Sequence, residues 1–144
     1  VLNNLLKKYE LTPGALSLEI TETMFFDNQN ELYFLLNHLQ QMGFRLEVDD
    51  FGSGYSSLNM LRNVPVDVLK IDKGFLDDTL NSEKGKIVIR HTIAMAKALQ
   101  LQIIAEGVET EEHVRFLKNS QCDIAQGYYF AKPMPLEEFN KLKF

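Results

Sequence analysis

Two adjacent carboxylates, Asp49 and Asp50, end the run Phe44–Val48 and are followed at once by Phe51-Gly52-Ser53-Gly54-Tyr55. Neighbouring carboxylates repel, so something positive must hold them together. For oxygen ligands the usual answer is a hard divalent cation such as Mg²⁺. A strand end that meets its following loop is also where parallel α/β folds carry their chemistry. On local grounds a turn-capping pair explains the dipeptide as well, because Asp favours turns. The glycines after it permit a close backbone approach or a hinge.

Other polar residues stand in similar places. Glu19 lies in Leu16-Ser17-Leu18-Glu19-Ile20-Thr21-Glu22, on the opposite face from Leu16, Leu18 and Ile20. Lys70 sits inside Val66-Asp67-Val68-Leu69-Lys70-Ile71-Asp72. A lysine in so apolar a run is rarely buried without a partner, and its structural reading is a salt bridge with Asp72 or Glu47. Glu106 follows Ile103-Ile104-Ala105, with a helix N-terminal acid as its plain reading; Gln126-Gly127-Tyr128 alone carries little. Cys122 reads as an apolar filler. His38, His91 and His113 fall in helical segments with no paired spacing.

The elements that must position these groups alternate. Strands are expected at Leu16–Ile20, Arg45–Asp49, Val66–Ile71, Gln102–Ala105 and Asp123–Gln126. Helices are expected near Asn28–Met42, Ser56–Arg62, Glu83–Leu99, Glu111–Lys118 and Leu136–Leu142, with Thr110 and Gly43 as punctuation. The stretch Asp72–Glu83, with Gly74, Asp77, Asp78, Asn81 and Ser82, reads as an irregular loop. Strand–helix alternation implies a parallel sheet with helical crossovers. An able side chain stands at the end of every strand. In a closed (β/α)8 barrel such ends converge on one mouth, whereas an open sheet spreads them along an edge. The pattern therefore suits part of a barrel, which when complete needs eight strands and about 250 residues.

Composition sets the outer limits. The 144 residues suffice for one domain with a real core, at 45 % hydrophobic and 24 % charged residues. A net charge of −5 gives no polybasic grip on nucleic acid or anionic lipid. An anionic substrate would therefore need metal ions or local cations. The single cysteine excludes an internal disulfide and favours a reducing compartment. No apolar run is long enough to span a membrane, and no signal peptide is expected. Residues 1–9 read like the tail of an amphipathic helix, so the chain is expected to belong to a longer polypeptide.

Several carboxylates, one lysine and one glutamine at converging strand ends, without a Ser–His or Cys–His pair, point to metal-assisted hydrolysis. Phosphodiester cleavage fits that toolkit. The strings LEITET, DDFGSGYSSLNML, VDVLKID, IIAEGVETEE and QGYYFAKPMP strongly resemble the EAL-domain family of cyclic di-GMP phosphodiesterases, in family order and spacing across essentially the whole chain. The resemblance implies a TIM-like (β/α)8 barrel that hydrolyses cyclic di-GMP to linear pGpG with two ions of Mg²⁺ or Mn²⁺. By it Glu19, Asp49 and Asp50 look like metal ligands. Lys70 matches the lysine that holds the attacking water and the developing phosphate charge. Glu106 matches the glutamate at the second metal, also cast as general base, and Gln126 the amide beside that water. Glu22 matches the brace of the loop after Asp50, while Asp72 and Glu109 look like partners supporting the ligands from behind. Phe51, Gly52 and Ser53 fall in that loop and are expected to bind substrate with Pro133-Met134, which resembles the rim that packs on a guanine.

Departures qualify the resemblance. Ser53 stands where Thr is common. Glu47 stands where a small apolar residue is common, and sharing a face with Asp49 it should point into the barrel beside a cation. The strand bearing the Glu-Ala-Leu signature and the next, with its metal-binding Asn, belong before Val1 in the family order. The chain is expected to hold about five-eighths of a barrel, as the C-terminal portion of one EAL domain over 1–144. The metal site would then be incomplete and the fragment itself inactive. A non-catalytic cyclic di-GMP receptor or interaction module is the alternative, and cleavage of another phosphodiester a third reading. Further expectations are self-association through the open side, no nucleic acid polymer as partner and no direct membrane contact. The parent is expected to be cytoplasmic or tethered through upstream segments, and linked to a sensor or diguanylate-cyclase-like domain.

Overall fold

The computed structural model describes residues 2–21, 24, 29–52 and 58–142. Alternation decides the faces of its strands. In the second strand Leu46 and Val48 are fully buried on one side, while Arg45, Glu47 and Asp49 take the other. The strands are β1 (Ser17–Thr21), β2 (Arg45–Phe51), β3 (Val68–Ile71), β4 (Gln102–Ala105) and β5 (Ile124–Ala125). All pair in parallel, in the order β1-β2-β3-β4-β5. Strands in sequence order, joined by crossovers of one hand, send every helix to the same side of the sheet. That is barrel winding, with the second face left for an interior.

The helices are α1 (Leu2–Lys8), α2 (Gln29–Gln41), α3 (Leu58–Asn63), α4 (Lys73–Leu80), α5 (Glu83–Ala98), α6 (Glu111–Asn119) and α7 (Leu136–Phe139). Ser82 caps α5 by accepting from the Gly85 N–H at 3.0 Å, and Thr110 caps α6 through the His113 N–H at 3.1 Å. Leu36, Leu76, Ile89, Ile93 and Leu117 join Leu46, Val48, Leu69, Ile71, Ile103 and Ala105 in one core. Burying each large aliphatic side chain contributes about 2 kcal/mol.

Two expectations are corrected. The Asp72–Glu83 loop is mostly helix. The Asp72 carboxylate accepts from the Gly74 and Phe75 N–H groups at 2.8 and 3.2 Å, and Leu76 and Leu80 turn one face of α4 into the core. The pair Asp49-Asp50 does not end its strand. β2 runs on to Phe51, with a register shift between Val48 and Phe51 and a left-handed φ of 56° at Asp50. The aspartates lie in a β-bulge, a device that re-aims side chains.

Candidate active site

Lys70 is the centre of the site. Strand β3 is buried along its whole length, and its register against β2 is fixed by Asp67, whose Oδ2 accepts from the Leu46 N–H at 2.9 Å. The Lys70 side chain is 9 % exposed, and its Nζ meets Glu19 Oε1 at 2.7 Å, Asp49 Oδ1 at 2.9 Å and Glu106 Oε1 at 3.0 Å. The partners come from β1, from β2 and from the turn after β4. Burial pulls the ammonium pKa down, but the close contacts with the Glu19, Asp49 and Glu106 carboxylates outweigh it and hold Lys70 above its ordinary value. The salt bridge with Asp72 or Glu47 is not the one formed. Asp72 caps α4, and Glu47 lies buried one layer deeper, with Arg45 Nε at 3.6 Å.

Asp50 is exposed, on the far side of the bulge. Desolvation and the charges of Asp49 and Asp72 raise its pKa above the usual carboxylate value, against the pull of Lys70. Glu106 is set by its own N–H, which donates to the Ile71 carbonyl at 3.0 Å. Gln126 is placed at the end of β5 by backbone bonds to Ala105 and Val108. Gly127 lies so close to Val108 that a Cβ would stand 2.2 Å from its carbonyl oxygen. The Glu106–Glu109 turn is thereby sewn to the Gln126–Tyr129 turn.

Glu109 meets Lys73, the first residue of α4; that hydrogen bond lowers the Glu109 pKa and raises that of Lys73. Lys73 was not singled out from sequence. Its signal is Gly107, where φ is 66° and a Cβ would meet the Lys73 stem at 2.2 Å. The strap runs from α4 across the turn that carries Glu106. Phe51 is buried in the core at 3 % exposure. A Cβ on Gly52 would stand 2.4 Å from the Phe75 ring, so the close approach its glycine permits is by that ring. Pro133 is exposed and Met134 half-buried on the segment that follows Tyr128, Tyr129 and Phe130. Glu22 and Ser53 lie outside the described residues.

The donor set suits a hard divalent cation. Glu19, Asp49, Asp50 and Glu106 supply anionic oxygens against one ammonium, and Asp49 Oδ1 is buried without a well-directed hydrogen bond. Among the described residues no three acidic, histidine or cysteine side chains already stand in an arrangement that holds a metal. Three of the carboxylates close on Lys70 instead.

One-way βα winding, with acidic side chains and a lysine gathered at the carboxyl ends of the strands, defines a TIM-barrel-like α/β protein with a site at the top of its sheet. The EAL domain sequence model matches residues 1–133, and the chain belongs to the EAL-domain family. It is 42 % identical over 137 residues to the cyclic di-GMP phosphodiesterase NbdA of Pseudomonas aeruginosa, covering 93 % of this chain and 18 % of that protein. A solved structure of the PaMucR phosphodiesterase in complex with c-di-GMP superimposes with a TM-score of 0.87 at 36 % identity, over 95 % of this chain and 56 % of that one. A manganese and cyclic di-GMP complex of Klebsiella pneumoniae BlrP1 gives 0.85 at 30 % identity, over 92 % and 34 %. The chain thus spans less than a fifth of the curated relative's length. Among the described residues, no helix is long and apolar enough to cross a membrane.

Proposed function

We propose that this chain is the C-terminal part of a single EAL domain, in a longer polypeptide that hydrolyses cyclic di-GMP to linear pGpG with Mg²⁺ or Mn²⁺. The observation that carries the reading is Lys70 held among Glu19, Asp49 and Glu106 at the strand ends of an EAL-family member. Glu19, Asp49, Asp50 and Glu106 would hold the metal, which when bound supplies Lewis acidity toward phosphate and a more acidic water. Lys70 donates to the oxygen on which negative charge grows, Glu106 accepts a proton at its carboxylate, and Gln126 orients the water through its amide. Lys73 and Glu109 fix the turn that carries Glu106. The exposed Pro133-Met134 segment offers the rim surface for a guanine. With five strands among the described residues, turnover belongs to the longer polypeptide and not to these 144 residues alone.

The test is a nucleotide assay on the full polypeptide. Cyclic di-GMP is converted to pGpG with added Mg²⁺ or Mn²⁺, and Lys70→Ala lowers kcat by about 100-fold or more while nucleotide binding stays measurable. Binding without any turnover in the unaltered protein would make it a receptor. Near-normal kcat for Lys70→Ala at saturating Mg²⁺ would remove the assigned role.

The surroundings follow from the same reading. The polypeptide works in the cytoplasm or faces it, joined to a sensor or cyclase-like domain. The isolated chain self-associates, because β1 and β5 each pair on one side only among the described residues, and an unpaired edge invites another strand. Sedimentation of the isolated chain checks this, and a compact monomer would contradict it.

A further inference from the structure

Two halves of the site are held by one short segment, Ile71–Phe75. On the β2 side the Asp72 N–H donates to the Phe51 carbonyl at 3.2 Å, and the Phe75 ring lies against Gly52, where a Cβ would stand 2.4 Å from it. On the β4 side the Ile71 carbonyl accepts from the Glu106 N–H at 3.0 Å. The Lys73 stem lies against Gly107, where a Cβ would stand 2.2 Å from it, and its ammonium continues to Glu109 beyond the turn. Both glycines have left-handed backbone, with φ of 98° and 66°, so each close approach uses a position that disfavours a side chain. The two contacts fall on different sides for a geometric reason. Residues two apart on a helix point about 200° apart around its axis. Lys73 and Phe75 therefore splay in nearly opposite directions from the first turn of α4. The Asp72 carboxylate fixes that turn on the end of β3 by accepting from the Gly74 and Phe75 N–H groups at 2.8 and 3.2 Å. The reacting groups sit directly behind these contacts. Asp49 and Asp50 precede Phe51-Gly52, Lys70 precedes Ile71, and Glu106 precedes Gly107.

We propose that the first turn of α4 is a two-sided clamp, with Lys73 and Phe75 as its jaws, that sets the separation between the Asp49-Asp50 pair and Glu106 across Lys70. Both jaws are positioning residues, acting through the backbone at Gly52 and Gly107. The kinetic consequence rests on the phosphodiesterase reading above; the mechanical one rests on the geometry alone. A misplacement of about 1 Å caused by a residue away from the chemistry costs a reaction up to about 100-fold. An exposed ion pair such as Lys73–Glu109 adds little to global stability. Its contribution is to the place of the turn that carries Glu106. Loss of either jaw frees one side of the site while the other stays fixed to β3.

The test uses the full polypeptide that carries these residues. Lys73→Ala removes stem and charge, and Phe75→Leu removes the ring but keeps an apolar side chain. Each is expected to lower kcat for cyclic di-GMP by about tenfold, with KM within about threefold. The thermal midpoint of Lys73→Ala should stay close to the parent's. Lys73→Arg keeps stem and charge and should bring kcat back to within about twofold. Lys118→Ala, an exposed charge removed from α6, should leave kcat within about twofold. The double variant should lose less than the product of the two single losses, because one jaw sets no separation once the other is gone. Full multiplication of the losses would show two independent contacts and overturn the clamp, as would a near-normal kcat in either single variant. Amide hydrogen exchange without nucleotide is the second measurement. Lys73→Ala should speed exchange of the Glu106 N–H, and Phe75→Leu that of the Asp72 N–H, by about tenfold. Unchanged exchange at both amides would overturn the clamp whatever the activity. No turnover in the unaltered polypeptide would sink the phosphodiesterase reading, and the exchange rates would then decide the clamp by themselves.

Discussion

Asp50 carries the clearest local strain of the site. Its φ of 56° is unusual for a residue with a side chain, and such a conformation costs about 1 kcal/mol or more. The bulge that imposes it turns Asp49 toward Lys70 while Asp50 stays exposed. Backbone strain and ligand loss can be separated by two substitutions. Asp50→Gly and Asp50→Ala both remove the carboxylate, but only glycine accepts the left-handed conformation freely. Asp50→Ala should be less stable than Asp50→Gly by about 1 kcal/mol in urea unfolding. Equal stabilities would show that the bulge relaxes in the variants. Asp49→Asn keeps the shape of its side chain and removes its charge, so it should weaken Mn²⁺ binding in the full polypeptide, measured by calorimetry.

Helix α4 shows how an element serves the site through its ends. Asp72 caps it, and Lys73, its first residue, reaches over Gly107 to Glu109. Asp72→Ala should cost about 1 kcal/mol of stability in denaturant unfolding, the usual loss for a capping carboxylate. No loss would show that solvent replaces the cap. Gly127→Ala is the harsher change, because the clash is with the Val108 backbone, which cannot swing aside as a side chain does. It should cost on the order of 3 kcal/mol or block folding of the Glu106 turn. A stable Gly127→Ala protein with normal nucleotide binding would show that the two turns move independently. The helical character of α4 was legible in the spacing of Leu76 and Leu80, yet Gly74, Asp77, Asp78, Asn81 and Ser82 together read as a loop. Gly74, Asn81 and Ser82 are exposed at the two ends of the helix, and a buried stripe needs few apolar residues when the helix is short.

At the scale of the whole molecule, one device recurs on both sides of the sheet. Asp67 at the foot of β3 accepts from the Leu46 N–H of β2, and Asp123 at the foot of β5 accepts from the Ile103 N–H of β4. Each carboxylate closes the lower end of a strand pair, opposite the site. Asp123 also pairs with Lys97 of α5 at 2.7 Å. Burial works to raise its pKa, but the Lys97 contact and the Ile103 N–H prevail and lower it below 3.8. A carboxylate depressed in the folded state stabilises the fold above its unfolded value, and that contribution is lost as pH falls through the folded value. Thermal stability should therefore drop below about pH 3.8, and Asp123→Asn should flatten part of that drop while lowering stability at neutral pH by about 1 kcal/mol. A variant with the parent's full acid dependence would assign the effect to other carboxylates.

The sequence by itself determined the repeating strand–helix order, the strand faces and the height of each polar residue along its strand. Period-two alternation settles which side a residue faces, and apolar runs settle which side is buried. That is why Glu19, Asp49, Lys70 and Glu106 were identifiable as residues at strand ends, and why the motifs Leu18–Thr23, Asp49–Leu61 and Ile103–Glu112 resembled one family. Only the tertiary structure decided which charges meet. Glu47 and Lys70 share the interior face, but stagger between strands leaves Glu47 with Arg45 a layer below. Asp72 is two residues from Lys70, yet the start of α4 turns its carboxylate onto backbone N–H groups. The bulge at Asp49-Asp50 leaves one trace in the sequence, because the buried apolar positions step from Leu46 and Val48 to Phe51 and break the alternation, but that trace alone does not say which aspartate turns inward. Partner choice depends on distances of an ångström between elements far apart in the chain, and those are set by how the helices pack and how the sheet curves.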